Sequence, residues 1–165
     1  MIEFLDSKLL KLPSLRVLPE WIDYNGHMNV AYYVLAFDKG VDALMSAIGI
    51  TPNYIEQYNC STFTLEIHVN YIQELRLGDP LSLSCQLLDF DTKKLHYFIY
   101  MHQANDNYLA ATSEQIMMHV SLEDRRSSEF PEQVTHQLEL LLSAHNELSR
   151  PTNCGSVIGI RRKLQ

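Results

Sequence analysis

The sequence predicts an α+β fold in which an antiparallel sheet of about five strands curls around one long central helix, with a further helix near the C-terminus. Three observations predict it. Apolar residues recur at helical spacing over 30–48, four strand-like segments separated by short turns follow over 62–122, and helical spacing returns over 131–148. One long helix and a run of neighbouring strands bury each other's apolar faces most economically when the sheet wraps the helix.

The long helix is the clearest element. Asn29 suits its N-cap, because the side-chain oxygen of Asn can accept from a free first-turn N–H, and Gly49 followed by Pro52 ends it. Its apolar residues recur at intervals of three and four: Val30, Tyr33, Val34, Phe37, Val41, Leu44, Met45 and Ile48.

The remaining elements are read from alternation and turn residues. Residues 15–22 predict a short strand that Pro19 interrupts. Residues 62–71 alternate apolar and polar side chains, and the short turns between the later segments suit antiparallel hairpins. The strands are thus predicted at 62–71, 81–87, 95–102 and 108–122, with Pro131 in the first turn of the last helix.

Length and charge limit the function. The 165 residues suit a single domain spanning 1–165, with a core at about 14–124 and a C-terminal helix at about 131–148. Lys and Arg number 13 against 20 Asp and Glu, so the formal net charge of −7 disfavours nucleic acid as a partner. No apolar run approaches the roughly 18–20 residues of a membrane span, and residues 1–13 lack the order of a secretory signal. We therefore expect a cytoplasmic protein with no membrane partner.

The cysteines predict neither a disulfide nor a metal site. Cys60, Cys85 and Cys154 are odd in number and share no metal-type spacing. Free thiols in a reducing compartment are the simplest interpretation, so we expect no metal and no cofactor.

The densest group of chemically able side chains lies at 23–29, immediately before the long helix. First-turn N–H groups are free and electropositive, so they can polarise a carbonyl or stabilise an oxyanion, with one donor worth roughly 3–4 kcal/mol. Asp23 can serve as general base or nucleophile, Asn25 and His27 can orient it or a water, and Gly26 allows close backbone approach. The alternative is that Asp23 only caps a turn.

Residues 21–33 read Trp-Ile-Asp-Tyr-Asn-Gly-His-Met-Asn-Val-Ala-Tyr-Tyr. This segment resembles the Asp-x-Asn-x-His-x-Asn…Tyr signature of hotdog-fold acyl thioesterases, which include the 4-hydroxybenzoyl-CoA thioesterase-like group and the plant acyl-carrier-protein thioesterases. The likeness extends over roughly 16–131. Further segments resemble the betainyl-CoA thioesterases of bacterial carnitine breakdown: 64–75, 78–79, 91–96, 111–114, 119–120 and 125–126.

The resemblance implies a hotdog fold and an acyl-CoA thioesterase that hydrolyses its substrate with water and no metal, betainyl-CoA being one candidate. It also implies self-association as a homodimer or homotetramer, with the ligand tunnel at the subunit interface. Two alternatives stay open: a hotdog protein that binds acyl-CoA without hydrolysing it, and a dehydratase.

Residue roles carry over position by position. Asp23 matches the aspartate that acts as base or nucleophile, and Asn25 and His27 match the polar pair of the plant enzymes. The backbone around Asn29 and Val30 matches the helix start that holds the thioester carbonyl.

Three other acids are candidates. Glu74 occupies the place of a downstream acid in the plant group, and Glu66 competes with it on the same strand. By alternation, the face that carries Glu66 could instead meet solvent or another subunit. Asp38 lies in the long helix, and the alternative to a catalytic role is that it belongs to the solvent-exposed face of that helix.

Substrate-binding candidates fall into two groups. Aromatic rings near the cluster could wall a tunnel or attract a quaternary ammonium: Trp21, Tyr24, Tyr32, Tyr33 and Phe37. Basic runs could contact the phosphates of coenzyme A: Lys93, Lys94, Arg125 and Arg126, with a third run at 161–163 interpreted as a frayed tail.

Overall fold

The computed structural model describes residues 8–160, so the basic run at 161–163 and the first seven residues lie outside it. The elements in chain order are β1 (Leu10–Lys11), β2 (Leu15–Arg16), a 3-10 turn (Pro19–Trp21), α1 (Val30–Ala47), α2 (Pro52–Tyr58), β3 (Cys60–Tyr71), β4 (Pro80–Phe90), β5 (Lys94–Gln103), β6 (Leu109–Ser121), β7 (Arg126–Ser127) and α3 (Glu132–His145).

One antiparallel sheet carries the fold. Its main path runs β1-β4-β5-β6-β3, while β2 pairs with β4 and β7 pairs with β6. Among the described strands, β3 pairs only with β6, so β3 forms an edge of the sheet. The long strands β3 to β6 are the four that the sequence predicts, and the predicted fold class is confirmed.

The central helix α1 packs on the inner face of this sheet. Its side chains Phe37 and Leu44 are fully buried in one core with side chains from β4, β5 and β6. Gly40 marks the closest approach, because a Cβ there would lie 3.1 Å from Leu12 Cδ1 and 3.2 Å from Leu83 Cδ1. The absence of a side chain at this position therefore lets α1 lie directly against the sheet.

Two segments differ from the sequence prediction. The predicted strand at 15–22 is wrong beyond Leu15–Arg16, since Pro19 has no N–H for a ladder and instead begins a 3-10 turn. The second segment is helix α2, which the sequence does not predict, since Pro52 there only marks the end of α1. In the structure Pro52 is the first residue of α2. The N-cap of α2 is Thr51, whose side chain accepts from the Tyr54 N–H at 3.2 Å. Seven residues are too few to display a helical period.

Within residues 8–160, none of the helices combines the length and apolar character needed to cross a bilayer.

Candidate functional site

The segment before α1 is a small closed loop. Ile22 and Met28 form an antiparallel bridge, and inside it the Asp23 N–H donates to the His27 carbonyl at 3.1 Å. The Gly26 N–H donates back to the Asp23 carbonyl at 3.0 Å, and Gly26 has φ +82°, a conformation that a residue without Cβ adopts readily. The loop therefore presents the Asp23 and His27 side chains from a defined backbone.

This loop is tied to the rest of the protein on both sides. The Met28 N–H donates to the Leu75 carbonyl at 2.7 Å, and the Asn29 N–H donates to the Trp21 carbonyl at 2.9 Å. Trp21 is buried and its ring stacks on Tyr32 with centroids 5.7 Å apart. These contacts fix the loop between the start of α1 and the segment that follows β3.

The start of α1 leaves one amide unused. Asn29 is the N-cap, as predicted: its Oδ1 accepts from the Ala31 N–H at 3.0 Å, and its carbonyl accepts from the Tyr32 N–H at 3.0 Å. Within the described part of the chain, the Val30 N–H has no hydrogen-bond acceptor. An unsatisfied amide at the positive end of a helix is a ready donor for a ligand oxygen.

A pocket of about 320 Å³ opens at this place. It brings together five of the predicted site residues, which come from the loop, from α1 and from the segment after β3: Asp23, His27, Val30, Tyr33 and Glu74. Four further lining residues were not predicted: Met28, Tyr71, Ile72 and Gln73. Asp23 and Val30, the first residue of α1, thus border the same cavity.

The missed lining residues had a weak signal in the sequence. Tyr71 ends the alternating run of β3, and 72–74 follow before Leu75, which is buried and holds Met28. The likeness at 64–75 covers them, but nothing in one sequence shows that this segment returns to the helix start.

Charge at the pocket is set by an ion pair. Arg76 donates to Glu74 Oε1 at 2.6 Å, and this contact lowers the pKa of the Glu74 carboxyl. Glu74 is therefore ionised at neutral pH and suits the role of an anion better than that of a proton donor. Arg76 was not among the predicted site residues.

Two tyrosines form the aromatic part of the pocket. Tyr33 is 4% exposed, and burial raises the pKa of its hydroxyl to about 12, so the ring stays neutral. Tyr71 meets it edge-on, with centroids 5.2 Å apart and an angle of 90°. Burial also raises the pKa of Tyr71.

Several predicted site residues do not line this pocket. Tyr24 is 96% exposed, and Trp21 is buried behind the loop. Asn25 is exposed, and its N–H donates to Asp23 Oδ1 at 2.8 Å, so the Asp23 carboxylate also stabilises its own turn. Asp38 is exposed on α1.

Glu66 belongs to a different surface. Its side chain borders a second pocket of about 280 Å³ with His68, His96 and Glu114, on the face of the sheet opposite α1. The structure therefore separates Glu66 from Asp23, whereas Glu74 lies beside the loop.

The predicted basic residues gather at one end of the sheet. Lys94 is level with Met118 on β6, which is level with Phe63 on β3, and the Arg125 guanidinium lies 4.9 Å from the centre of the Phe63 ring. Lys93 and Arg126 adjoin them at the same turns. Tyr71, at the pocket, lies at the opposite end of β3, about 26 Å away at roughly 3.3 Å per residue.

Comparisons with known proteins identify the family. Residues 17–138 match the thioesterase-like superfamily. A betainyl-CoA thioesterase of Pseudomonas aeruginosa is 39% identical over 154 residues, covering 93% of this chain and 97% of the relative.

Two solved structures are similar over most of their length. A Staphylococcus aureus protein in complex with CoA has a TM-score of 0.87 at 32% identity, covering 98% of each chain. A putative thioesterase of Pseudomonas putida has a TM-score of 0.80 at 33% identity, covering 93% of this chain and 98% of the other. The chain therefore belongs to the thioesterase-like superfamily and has its hotdog fold.

Proposed function

We propose that this protein is an acyl-CoA thioesterase in which Asp23 and the N-terminus of α1 act on one bound thioester. One observation carries the proposal: the Asp23 loop and the unpaired Val30 N–H border the same pocket. A thioester carbonyl placed against that N–H is polarised, and the amide stabilises the oxyanion that forms when the carbon is attacked.

The chemistry then needs only water. Asp23 either takes a proton from a water that attacks the carbonyl carbon, or attacks it directly to form an anhydride that water opens. In both routes the C–S bond breaks, the thiolate of coenzyme A leaves and takes a proton, and a free acid is released. We assign the orientation of the attacking water to His27, which is half-buried and lines the same pocket as Asp23.

For the acyl group we propose betainyl, the substrate in the name of the Pseudomonas aeruginosa relative. A quaternary ammonium is attracted to aromatic faces by roughly 0.5–2 kcal/mol for each ring. Tyr33 and Tyr71 supply two rings in the pocket, and Glu74, whose carboxylate is paired with Arg76, also lines it. These replace Trp21 and Tyr24 as the candidate cation-binding rings.

We also propose that the protein works as a homodimer. The free edge of β3 is 12 residues long, and Leu65 and Ile67 on it are 50% and 43% exposed. Pairing two such edges antiparallel across a two-fold axis would extend the sheet and satisfy their backbone groups. A homotetramer would need a further contact, for which the outer face of the sheet is available.

This assembly would also complete the substrate site. Antiparallel pairing of β3 with its copy brings the basic end of one strand to the pocket end of the other. Lys93, Lys94, Arg125 and Arg126 would then lie where the phosphates of a coenzyme A bound in the neighbouring pocket emerge. The three free cysteines suit a reducing cytoplasm, which is where we place the protein.

The direct test is release of free thiol from a panel of acyl-CoAs that includes betainyl-CoA and a long-chain acyl-CoA. We expect betainyl-CoA to give the highest kcat/KM, and Asp23→Asn to lower kcat by about 10³-fold or more while CoA binding persists, a loss typical of a removed catalytic group. Asp42→Asn, an exposed acid further along α1, is the matched control.

The outcomes separate the alternatives. Unchanged kcat in Asp23→Asn removes Asp23 from the chemistry, and acyl-CoA binding without thiol release across the whole panel favours a carrier protein. Faster hydrolysis of the long chain would end only the betainyl proposal. A single turnover in ¹⁸O-water tests direct attack. If Asp23 forms the anhydride and water opens it at the Asp23 carbonyl carbon, the first product acid carries an unlabelled Asp23 oxygen and Asp23 becomes labelled, whereas general-base catalysis labels only the acid.

A further inference from the structure

The face of the sheet opposite α1 carries a second cluster of reactive side chains, outside the candidate active site. His96 on β5, Glu114 on β6 and Cys154 in the segment after α3 each direct a donor atom to one point, and these atoms all lie within 4.8 Å of one another. His96 Nε2 is 2.8 Å from Glu114 Oε1, and the Cys154 thiol donates to the same oxygen at 3.1 Å.

The positions of these side chains are fixed by the backbone. Glu114 is level with Phe98 on β5, two residues from His96, so both side chains stand on the same face of the sheet. The second carboxylate oxygen, Oε2, accepts from the Gly155 N–H at 2.8 Å, which orients Oε1 toward the other two groups. Asn153 holds the same segment to Thr112 through a hydrogen bond of 3.0 Å.

We propose that His96, Glu114 and Cys154 bind a zinc ion that fastens the C-terminal segment to the outer face of the sheet. Imidazole, thiolate and carboxylate are the ligands that Zn²⁺ takes, whereas Mg²⁺ and Ca²⁺ take oxygen alone. Coordination releases the Cys154 proton, so the two negative ligands balance the charge of the ion.

The fit requires the donor atoms to shift relative to one another by roughly half an ångström to just over one ångström. With bonds of about 2.0–2.1 Å to nitrogen and oxygen and about 2.3 Å to sulfur, tetrahedral ligands are roughly 3.4–3.6 Å apart. The two contacts to Glu114 Oε1 would therefore each lengthen by about half an ångström, and the donor atoms of His96 and Cys154, which lie within 4.8 Å of each other, would approach to about 3.5 Å. Arg150, which is exposed and whose positive charge opposes the rise in the pKa of the Cys154 thiol, would turn toward solvent.

A candidate fourth ligand lines the pocket beside these three residues. The cavity of about 280 Å³ that adjoins the cluster is also lined by His68 and Glu66 on β3. His68 is directly level with Glu114 in the sheet, so its imidazole stands on the same face. The fourth position can be filled by His68 or by a water, and the sheet between this site and α1 keeps the ion away from the Asp23 pocket.

Sequence spacing does not predict this site, because its ligands are 18 and 40 residues apart along the chain. The spacing of the three cysteines therefore excluded only a site made from cysteines. Two neighbouring strands and a folded-back C-terminal segment bring His, Glu and Cys together.

The test uses untagged full-length protein, stripped with a chelator and titrated with Zn²⁺, and with Co²⁺ as a spectroscopic probe. We expect about one equivalent of Zn²⁺ per chain, a thiolate-to-cobalt charge-transfer band, and a rise in Tm on adding Zn²⁺. Cys154→Ser should remove the band and weaken Zn²⁺ binding at least tenfold, since even loss of an outer partner costs about 10–100-fold. Cys60→Ser, at another half-buried cysteine, is the control and should behave as the parent.

A second readout does not depend on any variant. Bound Zn²⁺ should slow alkylation of Cys154 in the parent protein, with no effect on Cys60. Failure of the parent protein to bind Zn²⁺ would overturn the proposal. So would equal Zn²⁺ binding by Cys154→Ser, or unchanged alkylation of Cys154 at saturating metal.

Discussion

Asn29 offers a way to separate the stability of α1 from the catalytic use of its N-terminus. Its side chain accepts from the Ala31 N–H, while the neighbouring Val30 N–H is left for the substrate. Asn29→Ala removes the cap and should lower the free energy of unfolding by about 1 kcal/mol. For a chain of this size that corresponds to a fall in Tm of roughly 2–4 °C.

Asn29→Asp keeps the acceptor and should hold stability at the parent level or slightly above it, because a negative charge is favourable at a helix N-terminus. The same charge opposes the developing oxyanion. At a separation of about 6 Å and an effective dielectric constant of about 40 the cost is about 1.4 kcal/mol, or a tenfold loss of kcat.

The assay is thermal unfolding together with steady-state thiol release for both variants. We expect the two variants to rank differently in the two measurements. Asn29→Asp should be the more stable of the two, yet its kcat should be the lower. Parent-level kcat in Asn29→Asp would refute the role of the helix N-terminus in catalysis. Parent-level stability in Asn29→Ala would refute the cap.

Three further predictions test other parts of the molecule. Lys94→Gln should raise KM for acyl-CoA several-fold with kcat unchanged. The difference in KM between the variant and the parent should shrink at high salt, because screening weakens phosphate contacts. An unchanged KM removes Lys94 from the CoA site. Gly40→Ala should destabilise the protein by about 1 kcal/mol, because the cost of overpacking exceeds the gain in helix propensity. The destabilisation should be smaller in a Leu12→Ala background, where Leu12 Cδ1 no longer crowds the new Cβ. Burial lowers the pKa of His145 to about 4, so below its unfolded pKa of about 6.5 only the unfolded state takes up the proton. The free energy of unfolding should therefore fall by up to about 3 kcal/mol as the pH drops from about 6.5 to 4. His145→Asn keeps an acceptor for the Leu87 N–H, so urea titrations of this variant should show a smaller fall over the same pH range. An equal fall in the variant and the parent would contradict this.

The sequence predicted those elements whose own residues carry a period. Helix α1 and strands β3 to β6 are long enough to alternate or repeat, so their apolar faces could be read directly. Pro52 shows the limit of the method, because the same residue marks the end of one helix and the first residue of the next. Helix α2 and the 3-10 turn at Pro19–Trp21 are too short to show a period, and only the folded backbone reveals them.

In the candidate site, too, local sequence predicts some residues and only the fold reveals the others. Asp23, His27 and Val30 are close in sequence to the helix start, so local reasoning was enough to group them. Tyr71 reaches the pocket only because β3 runs the length of the sheet. Glu66, on the same strand, faces the other way, because it is five residues from Tyr71 with no register shift between them and side chains alternate along a strand.

Alternation also explains why one strand can serve three purposes. On its inner side β3 presents Tyr71 to the candidate active site, and on its outer side it presents His68 to the proposed zinc site. Its free edge remains for pairing with a second copy. A strand with both faces and one edge in use has little tolerance for a shift in register, because a slip of one residue exchanges its two faces. We therefore expect β3, more than the buried strands β4 and β5, to be the element in which a substitution changes activity, metal binding and assembly together.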